Sequence, residues 1–113
     1  MAEYFTVVCE NIAATAAQDI LTVTASSTKK LQLLAAEIGA NGQATVSNYP
    51  IRIRYLPATV TAGSGGATVT PTNINPVGAS ISATARRNDT TRATSSGTAV
   101  TVAASMLNPI NGC

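Results

Sequence analysis

The stretch Pro50-Ile51-Arg52-Ile53-Arg54-Tyr55-Leu56-Pro57 decides the fold class. Ile51, Ile53 and Tyr55 alternate with Arg52 and Arg54, and successive side chains of a strand point to opposite faces. The first set is therefore predicted to face a core, and the two arginines to face water or a partner. Proline has no backbone N–H to give to a ladder, so Pro50 and Pro57 bracket the predicted strand.

The same signal recurs outward in both directions. Upstream, EYFTVVC at 3–9 and ILTVT at 20–24 are short and rich in β-branched and aromatic residues, which predicts strands. Between them, Asn11 to Asp19 reads as a connection with at most one helical turn. The polar cluster Ser26 to Lys30 reads as a turn. The segment LQLLAAEI at 31–38 favours helix by propensity. It is short and bounded by turn signals, however, and is predicted to be a strand. Asn41-Gly42 supplies the next turn. Downstream, Ala79–Ala85 and Thr98–Ala104 alternate small and β-branched residues and predict two more strands. The polar stretch Arg86 to Gly97 between them is predicted to be a turn region. About six short strands with no sustained helical period predict a single all-β domain over residues 1–113, an antiparallel β-sandwich or jelly-roll.

The stretch TAGSGGATVTPTNINP at 61–76 raises a separate question. Its Gly63-Ser64-Gly65-Gly66 lacks the Gly-Lys-Ser/Thr end of a phosphate-binding loop, and it is not the G-x-G-x-x-G of a dinucleotide site. Pro71 and Pro76 restrict the backbone too strongly for a floppy linker. Residues 57–76 are accordingly predicted to form an extended surface loop or arm that contacts neighbouring subunits.

Composition narrows the function classes. Of the 113 residues only 11% are charged and 4% aromatic, against about 25% charged in an average globular protein. A surface covered mostly by Thr, Ser, Asn, Gln and Ala suits a chain packed against neighbours. The net charge is +2 and the basic residues are dispersed, so the dense basic stripe and stacking aromatics of a nucleic-acid binder are missing. No apolar run approaches a membrane span, and MAEYFTVV lacks a basic start followed by a long apolar stretch. A soluble protein with no export signal is expected. Cys9 and Cys113 read as reduced thiols of a protein made in a cytosol.

The chain has no histidine. That removes Ser-His-Asp and Cys-His catalysis and the usual zinc sites, and no enzyme activity, cofactor or metal is expected. Glu3, Glu10, Asp19, Glu37 and Asp89 form no calcium-loop cluster and read as caps, turns and solvated surface. Asn88-Asp89-Thr90 matches a glycosylation acceptor by chance. Arg86, Arg87 and Arg92 read as a solvated turn or as a contact for phosphates or an acidic partner. The candidate partner interface comprises Arg52, Arg54, Gly63, Ser64, Gly65, Gly66, Pro71, Pro76, Arg86, Arg87 and Arg92. The closing Asn111-Gly112 normally delivers a chain into another strand. Either a neighbouring chain supplies that strand, or the native protein continues beyond Cys113.

Several short blocks, taken in order, carry a resemblance. Glu10-Asn11-Ile12, Thr15 to Ile20, Ile51 to Arg54, Gly63 to Gly66 with Thr70-Pro71-Thr72, Asn88 to Thr91 and Ser96 to Val100 resemble a family of small uncharacterised proteins encoded in tailed-phage and prophage genomes. The resemblance spans nearly the whole chain and implies a virion structural role. Family members continue for tens of residues past the position of Gly112. Arg86, Arg87 and Pro109 stand where less basic and less rigid residues are expected. The resemblance transfers no active-site residue.

The favoured expectation is a capsid decoration or cement protein. It would be made in the bacterial host cytoplasm and carried in the virion as a homo-oligomer bound to the major capsid protein or other virion proteins. The alternatives are a tail, neck or baseplate component and, from another class, a host-surface or glycan-binding β module. Glycan sites usually want aromatic platforms, and this chain has no Trp, one Phe and three Tyr.

Overall fold

A computed structural model describes residues 4–10, 12, 17–39, 49–74 and 81–107. Within them the chain is all-β, and every strand pair is antiparallel. The chain divides into two units, residues 1–32 with 62–93 and residues 33–61 with 94–113.

The first unit holds β1 (Phe5–Thr6), β2 (Asp19–Thr24), β5 (Ala67–Val69), β6 (Thr72–Asn73) and β7 (Thr84–Asp89). Its main sheet has the order β2-β7-β5. Val23 and Val69 flank Ala85 on either side, and Leu21 and Ala67 flank Arg87. Small residues fill the positions covered most closely: Ala83, Ala85 and Ala93 are the buried hydrophobic residues among those described. β1 pairs with β6, and the pairing is extended by the Ile74 amide donating to the Tyr4 carbonyl at 2.9 Å.

The second unit holds β3 (Tyr49–Tyr55), β4 (Val60–Thr61), β8 (Thr94–Ser95) and β9 (Val100–Leu107). They form two separate two-stranded ribbons, β3-β9 and β4-β8. The β3-β9 register shifts between Ile53 and Arg54, where Ile53 opposes Ala103 and Arg54 opposes Thr101. Val102 is the extra residue of this bulge, a device that increases local twist. The short ribbon is tied by serine hydroxyls. Ser95 Oγ donates to the Pro57 carbonyl and accepts from the Gly97 amide at 3.1 Å, while Ser96 Oγ accepts from the Thr59 amide at 3.2 Å.

The alternation of Ile51 to Arg54 is borne out in β3: Ile51 and Ile53 are half-buried, and Arg52 and Arg54 are exposed. Tyr55, on the face of Ile51 and Ile53 by alternation, is not covered as expected, with 60% of its surface exposed. Pro50, expected to bracket the strand, instead lies within it, opposite Met106. Three further expectations are corrected. Leu31 to Glu37 take part in no strand or bridge. The segment's Leu, Ala and Glu residues carry little strand preference, and helix propensity over so short a run does not nucleate a helix either. The polar stretch 86–89, expected as a turn, completes the central strand β7, because β2 and β5 pair with it on both edges. The stretch 57–76, expected as an extended arm, carries β4, β5 and β6, each hydrogen-bonded to another strand of the same chain. Gly42, Pro76 and the segment 108–113 lie outside the described residues, as does most of the connection expected at 11–19.

Candidate functional site

The most closely built local arrangement is centred on Asp89 at the end of β7, which is only 1% exposed. Asn88, just before it, has a left-handed backbone with φ of 55°, a conformation that asparagine tolerates better than most residues. Regular alternation would set Asp89 on the face opposite Arg86. The left-handed step instead turns its carboxylate onto that arginine. Arg86 Nε donates to Oδ2 and Arg86 Nη2 to Oδ1, both at 2.9 Å, a two-pronged charge-assisted pair. The Gly66 amide also donates to Oδ1, at 3.0 Å.

The Gly-rich segment is fitted against this carboxylate. Gly65 has φ of 92°, which a side chain rarely adopts. Gly66 lies so close to β7 that a Cβ there would overlap the Arg87 carbonyl oxygen. Gly63 is buried, and Ser64 and Thr91 exchange backbone hydrogen bonds at 3.0 and 3.1 Å. On the other edge Asp19 opposes Asp89 across the ladder. Like charges so placed repel, but the two carboxylates draw on different donors. Asp19 Oδ2 accepts from the Ala93 amide at 2.7 Å. Gln18 Nε2 donates to Asn88 Oδ1 at 2.5 Å.

The electrostatics follow from these bonds. The Arg86 guanidinium holds the Asp89 carboxyl below the ordinary carboxylate range; burial opposes it, and the Gly66 amide adds to it. Arg86 is pushed up in turn, chiefly by its hydrogen bond to Asp89. Asp89 therefore stays ionised near neutral pH and is not placed to hold or deliver a proton. Among the described residues every buried side-chain polar atom already has a partner. The arrangement is a clasp that fixes the Gly-rich segment to β7.

The expected interface residues accordingly separate. Gly63, Ser64, Gly65, Gly66 and Arg86 are engaged in the clasp, although Ser64, Gly65 and Gly66 remain exposed on their outer side. Arg87 is exposed, reaches the Glu10 carbonyl oxygen at 3.5 Å and borders an open groove of about 390 Å³ shared with Val8, Cys9, Thr68 and Val69. Arg92 is exposed and Pro71 half-buried. Arg52 and Arg54 lie together on one face of β3 in the other unit. Sequence reasoning missed Asp89 and Asp19, which were read as solvated or turn residues. The readable signal was an Arg and an Asp three apart, separated by the turn-prone Asn88.

Large apolar side chains are exposed in the first unit too, among them Val8 (61%) and Ile74 (63%), but the second unit differs in burial. None of its described residues is buried. Tyr55 is 60% exposed, Val102 62%, Leu33 61% and Leu34 72%. These observations define the chain as an all-β protein with one clasped unit and one unit of open ribbons. Comparison with family models, with curated proteins and with solved structures found no match.

Proposed function

We propose that this chain is a structural subunit of a larger protein assembly, specifically a bacteriophage virion protein of the capsid decoration or cement type that binds the major capsid protein. The observation carrying the reading is the second unit, in which two-stranded ribbons and exposed apolar side chains stand without one buried described residue. Two-stranded ribbons are marginal in water by themselves. Binding that covers apolar surface stabilises the folded state by mass action. The low charge and the ordered resemblance to phage-encoded proteins support the same reading. A tail, neck or baseplate position is the second reading within the particle.

Copy number tests it. Quantitative mass spectrometry of purified particles, referenced to the major capsid protein, should find on the order of hundreds of copies for a shell protein, because icosahedral symmetry multiplies each site. On the order of ten copies would move the chain to the tail or neck. Absence from the particle would overturn the virion role.

A further inference from the structure

The β3-β9 ribbon has an open edge along β3, since among the described residues β3 is hydrogen-bonded to β9 alone. The same chain carries an apolar segment, Leu31 to Glu37, that takes part in no strand or bridge and is exposed throughout. Leu31 is 43% exposed, Leu33 61% and Leu34 72%. We propose that Leu31–Glu37 of one copy adds as a third strand to the open edge of β3 in a second copy. The inference rests on the assembly reading above and names the partner as the chain itself.

Two observations favour this occupant. A third strand takes a ribbon past the size that is marginal in water. Lastly, the charges can be paired. When Glu37 is set on the face of Arg52 and Arg54, period-two alternation places Leu34 and Ala36, together with Gln32, on the face of Ile51, Ile53 and Tyr55. Leu31 and Leu33 then lie along the aliphatic stems of the arginines. Glu37 is the segment's single charge, and it is opposite in sign to both charges of β3. Within one chain the two elements fall in the same unit from residue 33 onward, yet no ladder joins residues 31–37 to β3. A neighbouring copy can supply that pairing without rearranging this one. Backbone hydrogen bonds would provide the affinity and the alternating side chains the register, as in other strand additions.

Cross-linking between two differently labelled chains tests the proposal. In a background of Cys9→Ser and Cys113→Ser, one chain carries Glu37→Cys and the other Arg54→Cys or Arg52→Cys. Facing residues of neighbouring strands have Cβ atoms about 4.5–5.5 Å apart, so mild oxidation of the mixture should yield the mixed 37–54 or 37–52 dimer in excess over either self-linked dimer. Leu34→Asp should weaken association by about tenfold or more, the loss for an apolar side chain that becomes charged on burial. Leu34 is already 72% exposed, so the isolated chain should keep its circular dichroism. Purely monomeric sedimentation with no mixed product would overturn the proposal. So would a double variant, Glu37→Cys with Arg54→Cys, that closes its disulfide only within one chain. A chain that enters particles without this cross-link would sink the strand addition alone. A cross-linked chain absent from particles would sink the virion role alone.

Discussion

Replacing Asp89 by asparagine keeps the shape of the side chain and removes its charge. In the native chain the carboxylate accepts from Arg86 Nε and Nη2 at 2.9 Å and from the Gly66 amide at 3.0 Å. Asparagine accepts at one branch only, so its NH₂ must face either the Arg86 Nε–H or both the Arg86 Nη2–H and the Gly66 amide. Hydrogen bonds to a charged group contribute about 1.5–3 kcal/mol each, and removing one partner of a buried pair costs about 3–5 kcal/mol. The Arg86 side chain is 29% exposed, and water takes over part of its solvation. The low end therefore applies, and Asp89→Asn should cost about 2–3 kcal/mol. With a slope of about 1.5 kcal/mol/M, the urea midpoint should fall by about 1.5–2 M at neutral pH. The pH dependence gives a second readout. Because Arg86 depresses the folded-state carboxyl, its stabilisation is present above the unfolded value, near 3.9, and is lost as pH falls through the lower folded value. The native chain should lose stability from about pH 4 downward. The variant should lack that contribution, so the two urea midpoints should draw together in acid. Unfolding followed by circular dichroism from pH 7 to pH 2 measures both effects. A neutral-pH midpoint within about 0.3 M of the native one, or an unchanged acid slope, would refute the clasp.

Two further substitutions probe backbone geometry. Gly66→Ala drives a Cβ into the Arg87 carbonyl and to 2.6 Å from the Asn88 carbonyl carbon; a loss of about 2 kcal/mol is expected by urea unfolding. Gly39→Ala, with no atom within 4 Å of the added Cβ, should stay within about 0.5 kcal/mol. Ala58 sits at φ of 62°. Ala58→Gly relieves about 1–2 kcal/mol of left-handed strain against about 0.5–1 kcal/mol of added chain freedom. A net gain of roughly 0.5 kcal/mol should raise the Tm by about 2–4 °C in a thermal scan.

The strands that sequence revealed are those whose own pattern is strong. Ile51-Arg52-Ile53-Arg54 alternates cleanly and forms β3, and Ile20–Thr24 falls inside β2. The strand at Arg86–Asp89 was hidden because its residues are polar and individually prefer turns. Its ladder partners, Leu21 and Thr22 on one side and Ala67 and Thr68 on the other, are far away in sequence. Tertiary pairing outweighs local preference there, as is common for strands. The segment 31–38 failed in the opposite sense. Its apolar content argued for burial, but residues 31–37 are exposed and join no strand or bridge among the described residues. The Gly-rich stretch matches no nucleotide-binding motif. Its role in the clasp stayed unreadable, because close approach of Gly66 to β7 is a property of the fold and leaves no mark in local spacing.

The two units solve the shortage of apolar volume differently, and the difference bears on assembly. Around β7 the buried positions hold alanines and one aspartate, so the stabilisation gained there is directional, drawn from a charge pair and amide donors aimed at it. Such a clasp is complete within one chain and leaves its residues little freedom to meet a partner. The described residues of the second unit include no comparable charge clasp and no residue shown as buried. In that unit Tyr55, Leu33, Leu34 and Val102 are 60–72% exposed and retain more than half of the hydrophobic free energy they could contribute. Free energy not realised within the chain remains for a neighbouring subunit to realise. Under the proposed assembly role, the ribbons and the 31–37 segment are therefore the first surface to probe for a partner, ahead of the Gly-rich loop.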